Sequence, residues 1–245
     1  MLLCIPGFVM AGNLMNVGNI TQHIVRFSNA LVGHIRGGLA IASVLSCVMF
    51  AALSGSSPAT VAAVGSVVIA GMARSGYTKD FATGIVCNAG TLGILIPPSI
   101  VMVVYATVTE SSVGKIFVAG IVPGLLLGLI LMVAIYIVAR VKKMPALPRP
   151  SIGEFLSTAR KASWGLLTIV IVLGGIYGGF FTPTEAAAVA AVYAGFVALF
   201  VYRDITFKQC PGVLLDAAAG GSATIALRRT QPGQRMYRMS GGGIY

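Results

Sequence analysis

Between Gly37 and Ile100 two apolar runs stop and restart, and those interruptions limit what the whole chain can fold into. The first run consists of two arms joined by a small polar tip, Ser54-Gly55-Ser56-Ser57-Pro58, and closes at Arg74. Each arm of about 16 residues spans about 24 Å as a helix, short of a full bilayer core. Arg36 and Arg74 bracket the pair, so both outer ends favour the same, cytoplasmic side. The predicted form is a re-entrant hairpin with its Ser/Gly tip near mid-depth. The second run is broken by Asn88-Ala89-Gly90-Thr91-Leu92-Gly93 and again by Pro97-Pro98. Opened backbone inside a bilayer strands N–H and C=O groups at several kcal/mol each, unless they line a cavity or hold a ligand. Two openings this close in sequence point to a binding site for a solute or an ion.

Composition agrees with a chain built of membrane spans. It is 57% hydrophobic and only 9% charged, against roughly 25% charged residues in soluble domains. The fold class expected is an all-α polytopic membrane protein. The net charge of +11 does not imply nucleic acid, because the basic residues sit in short loops between apolar spans, the positive-inside pattern.

The six acidic residues, Asp80, Glu110, Glu154, Glu185, Asp204 and Asp216, all avoid the middle of the apolar spans. A proton relay through a membrane needs an ionisable group at depth. The pattern therefore favours a cation held by neutral oxygens. Cys4, Cys47, Cys87 and Cys210 show no metal-ligand spacing, and the first three lie in apolar stretches, so buried inert thiols are expected. His23 and His34 fall on the polar face of an amphipathic segment. No base therefore reaches Ser54, and no catalytic residue, metal site or cofactor is expected.

In order, residues 1–15 read as the end of a transmembrane helix already under way, without the pattern of a signal peptide. Residues 20–36 form an amphipathic arm, with Ile20, Ile24, Phe27, Leu31 and Ile35 at helical spacing. Residues 37–107 hold the hairpin and the broken span. Crossings are predicted over 116–139, 163–181 and 184–202, with a basic cytoplasmic loop at 140–162 whose 144–150 stretch is a proline-rich linker. Thr182-Pro183-Thr184-Glu185 has the pattern of a capping box. From 216 to 245 apolar periodicity is lost, and a disordered tail of atypical sequence, such as a frame change produces, is expected.

At the tip, Ser54, Ser56 and Ser57 supply hydroxyl oxygens and Gly55 frees the backbone to turn. The arriving helix end carries negative dipole character and the departing one positive. In the broken span Gly90 and Gly93 permit unwinding, while Asn88 and Thr91 add oxygen atoms. The ordinary role of such small residues is close helix packing. Two interrupted spans bearing them together favour a ligand site.

The runs Gly12-Asn13-Leu14-Met15, Gly37-Gly38-Leu39-Ala40, Ser54-Gly55-Ser56, Gly90-Thr91-Leu92-Gly93-Ile94-Leu95-Ile96-Pro97-Pro98-Ser99-Ile100 and Thr182-Pro183-Thr184-Glu185-Ala186-Ala187 resemble the large membrane subunit of tripartite ATP-independent periplasmic (TRAP) transporters, C4-dicarboxylate type, over roughly residues 1–215. The resemblance implies an inverted-repeat, elevator-type secondary transporter that takes up small carboxylates with sodium across a bacterial inner membrane. It implies as partners a periplasmic solute-binding protein and a small membrane subunit. It matches Ser54, Gly55, Ser56 and Ser57 to the first hairpin tip, and Asn88, Gly90, Thr91 and Gly93 to its partner broken helix. These would build one sodium site and half the substrate site, and residues 20–36 would join scaffold to elevator. The family's longer chains imply truncation at both ends, loss of the second hairpin, and no transport by this polypeptide alone. Related alternatives are a divalent-anion/sodium symporter and a non-transporting membrane remnant.

Overall fold

A computed structural model describes residues 4–17, 19–142, 144, 146–148, 150–202 and 212. The predicted tail at 216–245, together with Asp204 and Cys210, lies outside the described residues. Those described form helices α1 (Cys4–Val17), α2 (Ile20–Val32), α3 (Gly38–Ser54), α4 (Ser57–Arg74), α5 (Lys79–Gly90), α6 (Ile100–Val108), α7 (Val113–Val141), α8 (Ile152–Tyr177) and α9 (Pro183–Phe196). A 3-10 turn, Thr91–Ile94, follows α5, and a π-helical turn, Val197–Val201, extends α9. No strand occurs among them.

The chain is an all-α polytopic membrane protein. Ser57–Arg74, Val113–Val141, Ile152–Tyr177 and Pro183–Val201 are each long and apolar enough to cross a bilayer, while Gly38–Ser54 is apolar but shorter. At 18 residues, α4 spans about 27 Å and is longer than the predicted arm.

Side chains on most faces of α7 stand outward, including Val122, Leu125, Leu126, Leu129, Ile130 and Ile137. Its inner stripe is Val113, Phe117, Gly120, Gly124, Gly128, Ile135 and Ala139. A helix apolar all round, yet buried along one stripe only, is the pattern of lipid on one side and protein on the other.

α3 lies at the centre and packs against α2, α4, α5, α7, α8 and α1. Its burial is nearly continuous, from Gly38 through Cys47 and Phe50 to Ser54. α1 and α9 pack closely along each other through small residues, with Gly7 against Ala187 and with Ala186, Ala190, Ala191 and Ala194 buried. The capping box is present: the Thr182 hydroxyl accepts from the Glu185 amide at 3.4 Å, and the Glu185 carboxylate accepts from the Thr182 amide at 2.8 Å.

Three expectations change. α8 begins at Ile152, inside the stretch read as loop 140–162. Glu154, Arg160 and Lys161 are compatible with a helix that stands in the polar layer before entering the apolar one. In α2 the buried face is Ile20, Thr21, Ile24, Val25 and Ser28, whereas Leu31 is 40% exposed. α2 packs against α3, α4 and α8 at once, so its buried surface includes small polar residues that a purely apolar period does not reveal. Cys4 and Cys47 are buried as expected, but Cys87 is exposed on α5.

Candidate functional site

α3 stops at Gly55, which takes a left-handed conformation (φ 60°, ψ 11°) and donates its amide to Ala51 O at 2.8 Å. That conformation costs a residue with a Cβ about 1–2 kcal/mol. A Cβ here would also collide with the carbonyl oxygen of Pro98. Ser56 is extended (φ −130°, ψ 122°) and Pro58 sits in the first turn of α4. The turn therefore needs the glycine, and the proline suits a helix start.

Ser54 is buried, with its hydroxyl 3.1 Å from that of Thr60 and 3.4 Å from the Ser56 carbonyl. Thr60, also buried, donates to Ser56 O at 2.8 Å. The tip is thus a closed polar ring of Ser54, Ser56 and Thr60. Ser57 is half-buried beside it.

The broken span meets this tip directly. A Cβ on Gly93 would lie 3.1 Å from both Cα and N of Ser57. A Cβ on Gly90 would collide with Val61 and come within 3.6 Å of Ser57 O. After the 3-10 turn the chain bends through the cis Pro97-Pro98 peptide and restarts at Ile100, whose amide donates to Gly55 O at 3.0 Å. Each break therefore satisfies a main-chain group freed by the other. Four helix ends converge: the C-termini of α3 and α5 and the N-termini of α4 and α6. No ionisable side chain belongs to the tip or to the 3-10 turn, so helix-end dipoles and neutral oxygens set the local field.

Of the eight residues singled out, Ser54, Gly55, Ser56, Ser57, Gly90 and Gly93 are brought together. Asn88 and Thr91 are not turned into the junction. Both are exposed, the Asn88 amide donating to Gly84 O at 2.8 Å and the Thr91 hydroxyl to Asn88 O at 2.7 Å. They occupy an outer face of the same element.

Three features escaped the sequence reading. Thr60 completes the tip ring, and its position one turn past Ser56 was the available signal. Ser99 precedes α6, is fully buried, and its hydroxyl has no hydrogen-bond partner. Its place directly after Pro97-Pro98, at a helix start, was visible. The third is the glycine ladder of α7. A Cβ on Gly120 would crowd Leu95 O, and one on Gly124 would lie 3.0 Å from the Ile96 side chain. This ladder lets α7 lie against the irregular backbone, and its four-residue spacing is the recognisable motif. On the opposite side, a Cβ on Gly12 of α1 would stand 3.1 Å from Ser54 Cα.

Membrane-crossing helices around two adjoining helix breaks define a multi-pass membrane protein with interrupted helices packed against one another in its interior. The chain belongs to the tripartite ATP-independent periplasmic transporter family, DctM component, whose family model matches residues 1–227. That family consists of transporter components, not enzymes, and the match sets aside the divalent-anion/sodium symporter.

Over 226 residues the chain is 70% identical to the C4-dicarboxylate TRAP transporter large permease protein of Pseudomonas aeruginosa, covering 92% of this chain and 52% of that protein. It is 64% identical over 204 residues to the Vibrio cholerae protein of the same description, covering 83% and 45%. An ectoine TRAP transporter large permease of Halomonas elongata is 42% identical over 210 residues, covering 85% and 49%. The chain spans about half the length of these curated relatives.

Proposed function

We propose that this chain supplies one half of the ion and solute site of a TRAP-type large permease that imports small carboxylates, C4-dicarboxylates foremost, together with sodium. The observation that carries this reading is the junction itself: Gly55 and Ile100 bonded across two helix breaks, Gly93 seated on Ser57, and no ionisable group in either break. Neutral hydroxyls and carbonyls at helix C-termini suit a sodium ion, and helix N-termini suit a carboxylate. Ser54, Gly55, Ser56, Ser57, Gly90 and Gly93 form the near wall. Asn88 and Thr91, on the exposed face, face whatever completes the site.

In this reading α3 and α4 form a re-entrant hairpin, which moves with α5 and α6 as an elevator body against a scaffold containing α7. α2 is the arm between them. The basic loops lie on the cytoplasmic side of a bacterial inner membrane. The partners are a periplasmic binding protein that delivers the solute and a small membrane subunit that braces the scaffold. The names of the two most similar relatives cited support a C4-dicarboxylate solute.

The test is a transplant. Residues 37–107 replace the matching segment of the Pseudomonas aeruginosa permease, which is reconstituted with its partner proteins, and labelled succinate uptake is followed with and without a sodium gradient. Sodium-dependent uptake by the chimera, lost on Gly55→Val, is the expected result. A chimera that inserts and folds but accumulates no succinate, or does so equally without sodium, overturns the reading.

A further inference from the structure

Away from the junction, a cavity of about 610 Å³ opens where the first turns of α8 meet the arm helix and the end of α9. One wall is a single face of α8: Leu156, Ser157, Arg160, Lys161 and Trp164 recur at three- and four-residue spacing and all line it. The opposite wall contains His23 of α2 and Tyr202 after α9, whose rings stack with centroids 4.9 Å apart. The Tyr202 hydroxyl donates to the Lys161 carbonyl, tying the walls together without using the ammonium group.

Three properties coincide here. The charged side chains on the wall are Arg160 and Lys161, and no carboxylate is among the lining residues described. Trp164 is 41% exposed and marks the level where α8 passes from its charged first turns into the apolar run beyond Leu166. Indole rings favour that boundary between headgroups and hydrocarbon. Leu156, 68% exposed, supplies apolar surface beside the two cations. A soluble anion would use the cations but not the apolar wall.

We propose that this cavity binds the headgroup of an anionic phospholipid. Arg160 and Lys161 hold the phosphodiester, and Trp164, one turn nearer the apolar run, flanks the glycerol and the first methylenes of an acyl chain. Arg offers a planar donor pair and Lys a mobile point charge, a suitable set for a phosphate whose orientation the acyl chain fixes. A lipid seated there bridges α2, α8 and the end of α9.

The full chain, extracted in mild detergent, is incubated with dioleoyl phosphatidylglycerol or dioleoyl phosphatidylcholine, and retained lipid is read by native mass spectrometry. Phosphatidylglycerol is expected to be retained over phosphatidylcholine, with a preference of about fivefold for each cationic side chain that contributes. Arg160→Gln with Lys161→Gln abolishes the preference. Arg160→Lys with Lys161→Arg keeps it, as does Arg74→Gln outside the cavity. Glycerol 3-phosphate, which lacks acyl chains, does not displace the lipid. Equal retention of the two lipids by the unmodified chain overturns the proposal, even if the neutral variant fails to fold. So does an unchanged preference in the folded neutral variant, or displacement by glycerol 3-phosphate, which would mark a free-phosphate site. Retention of neither lipid, as when polypeptide fills the cavity, overturns it as well.

Discussion

The amide of Ile100 donates a 3.0 Å hydrogen bond to the carbonyl of Gly55, joining two helix breaks that lie far apart in the chain. A helix start and a helix end that would each leave a main-chain group unpaired in an apolar interior are paired with one another. The same closeness leaves no room for a Cβ on Gly55, which would meet the Pro98 carbonyl.

Gly55→Ala therefore carries two costs, the left-handed conformation at about 1–2 kcal/mol and displacement of the Pro98 carbonyl. The thermal midpoint of the detergent-solubilised protein should fall by several degrees. Gly174→Ala, at a helical position with no atom within 4 Å of the added Cβ, should leave it unchanged or raise it slightly.

The two buried serines of the junction should respond in opposite senses. Ser99 has no partner for its hydroxyl, so Ser99→Ala removes an unsatisfied buried polar group and should be neutral or stabilising by about 1 kcal/mol. Ser54→Ala breaks the contact with Thr60 and should cost about 1 kcal/mol. Chemical denaturation in mixed micelles, on both variants side by side, measures the sign of each change.

The glycine ladder of α7 should not tolerate volume. Gly120→Val would push against Leu95 O and the Met102 side chain, forcing α7 away from the broken span. Overpacking of this kind typically costs about 1–3 kcal/mol. Disulfide trapping between cysteines introduced at positions 124 and 96, where a Cβ on Gly124 lies 3.0 Å from the Ile96 side chain, reads the separation directly: it should be efficient in the parent and weak in the Gly120→Val variant.

At the start of α9, Thr182→Ala removes the side chain that accepts from the Glu185 amide and should lower stability by about 1 kcal/mol. Glu185→Gln keeps an acceptor for the Thr182 amide and should be the milder change. Thermal unfolding followed by the helical circular dichroism signal separates the two.

On the arm helix, Leu31→Gln should be silent, because Leu31 is 40% exposed. Ile24→Ala, at a fully buried position, should cost about 2–5 kcal/mol. Equal effects from the two would mean that the buried face of α2 lies elsewhere.

The helical membrane character of this protein, the places where its spans break and the capping box of α9 were readable from the order of residues alone. Each depends on local chemistry: apolar runs of bilayer length, Gly and Pro that a continuous helix excludes, a Thr and a Glu three positions apart. Tertiary structure alone decided that the two breaks touch, that Ser54 is satisfied by Thr60 while Ser99 is left unpaired, and that Asn88 and Thr91 face outward. Those outcomes depend on the rotation and depth at which α3, α5 and α7 meet. Apolar side chains in an apolar surround carry too little positional pattern to specify either, whereas the close approach permitted by Gly55, Gly93, Gly120 and Gly124 specifies both.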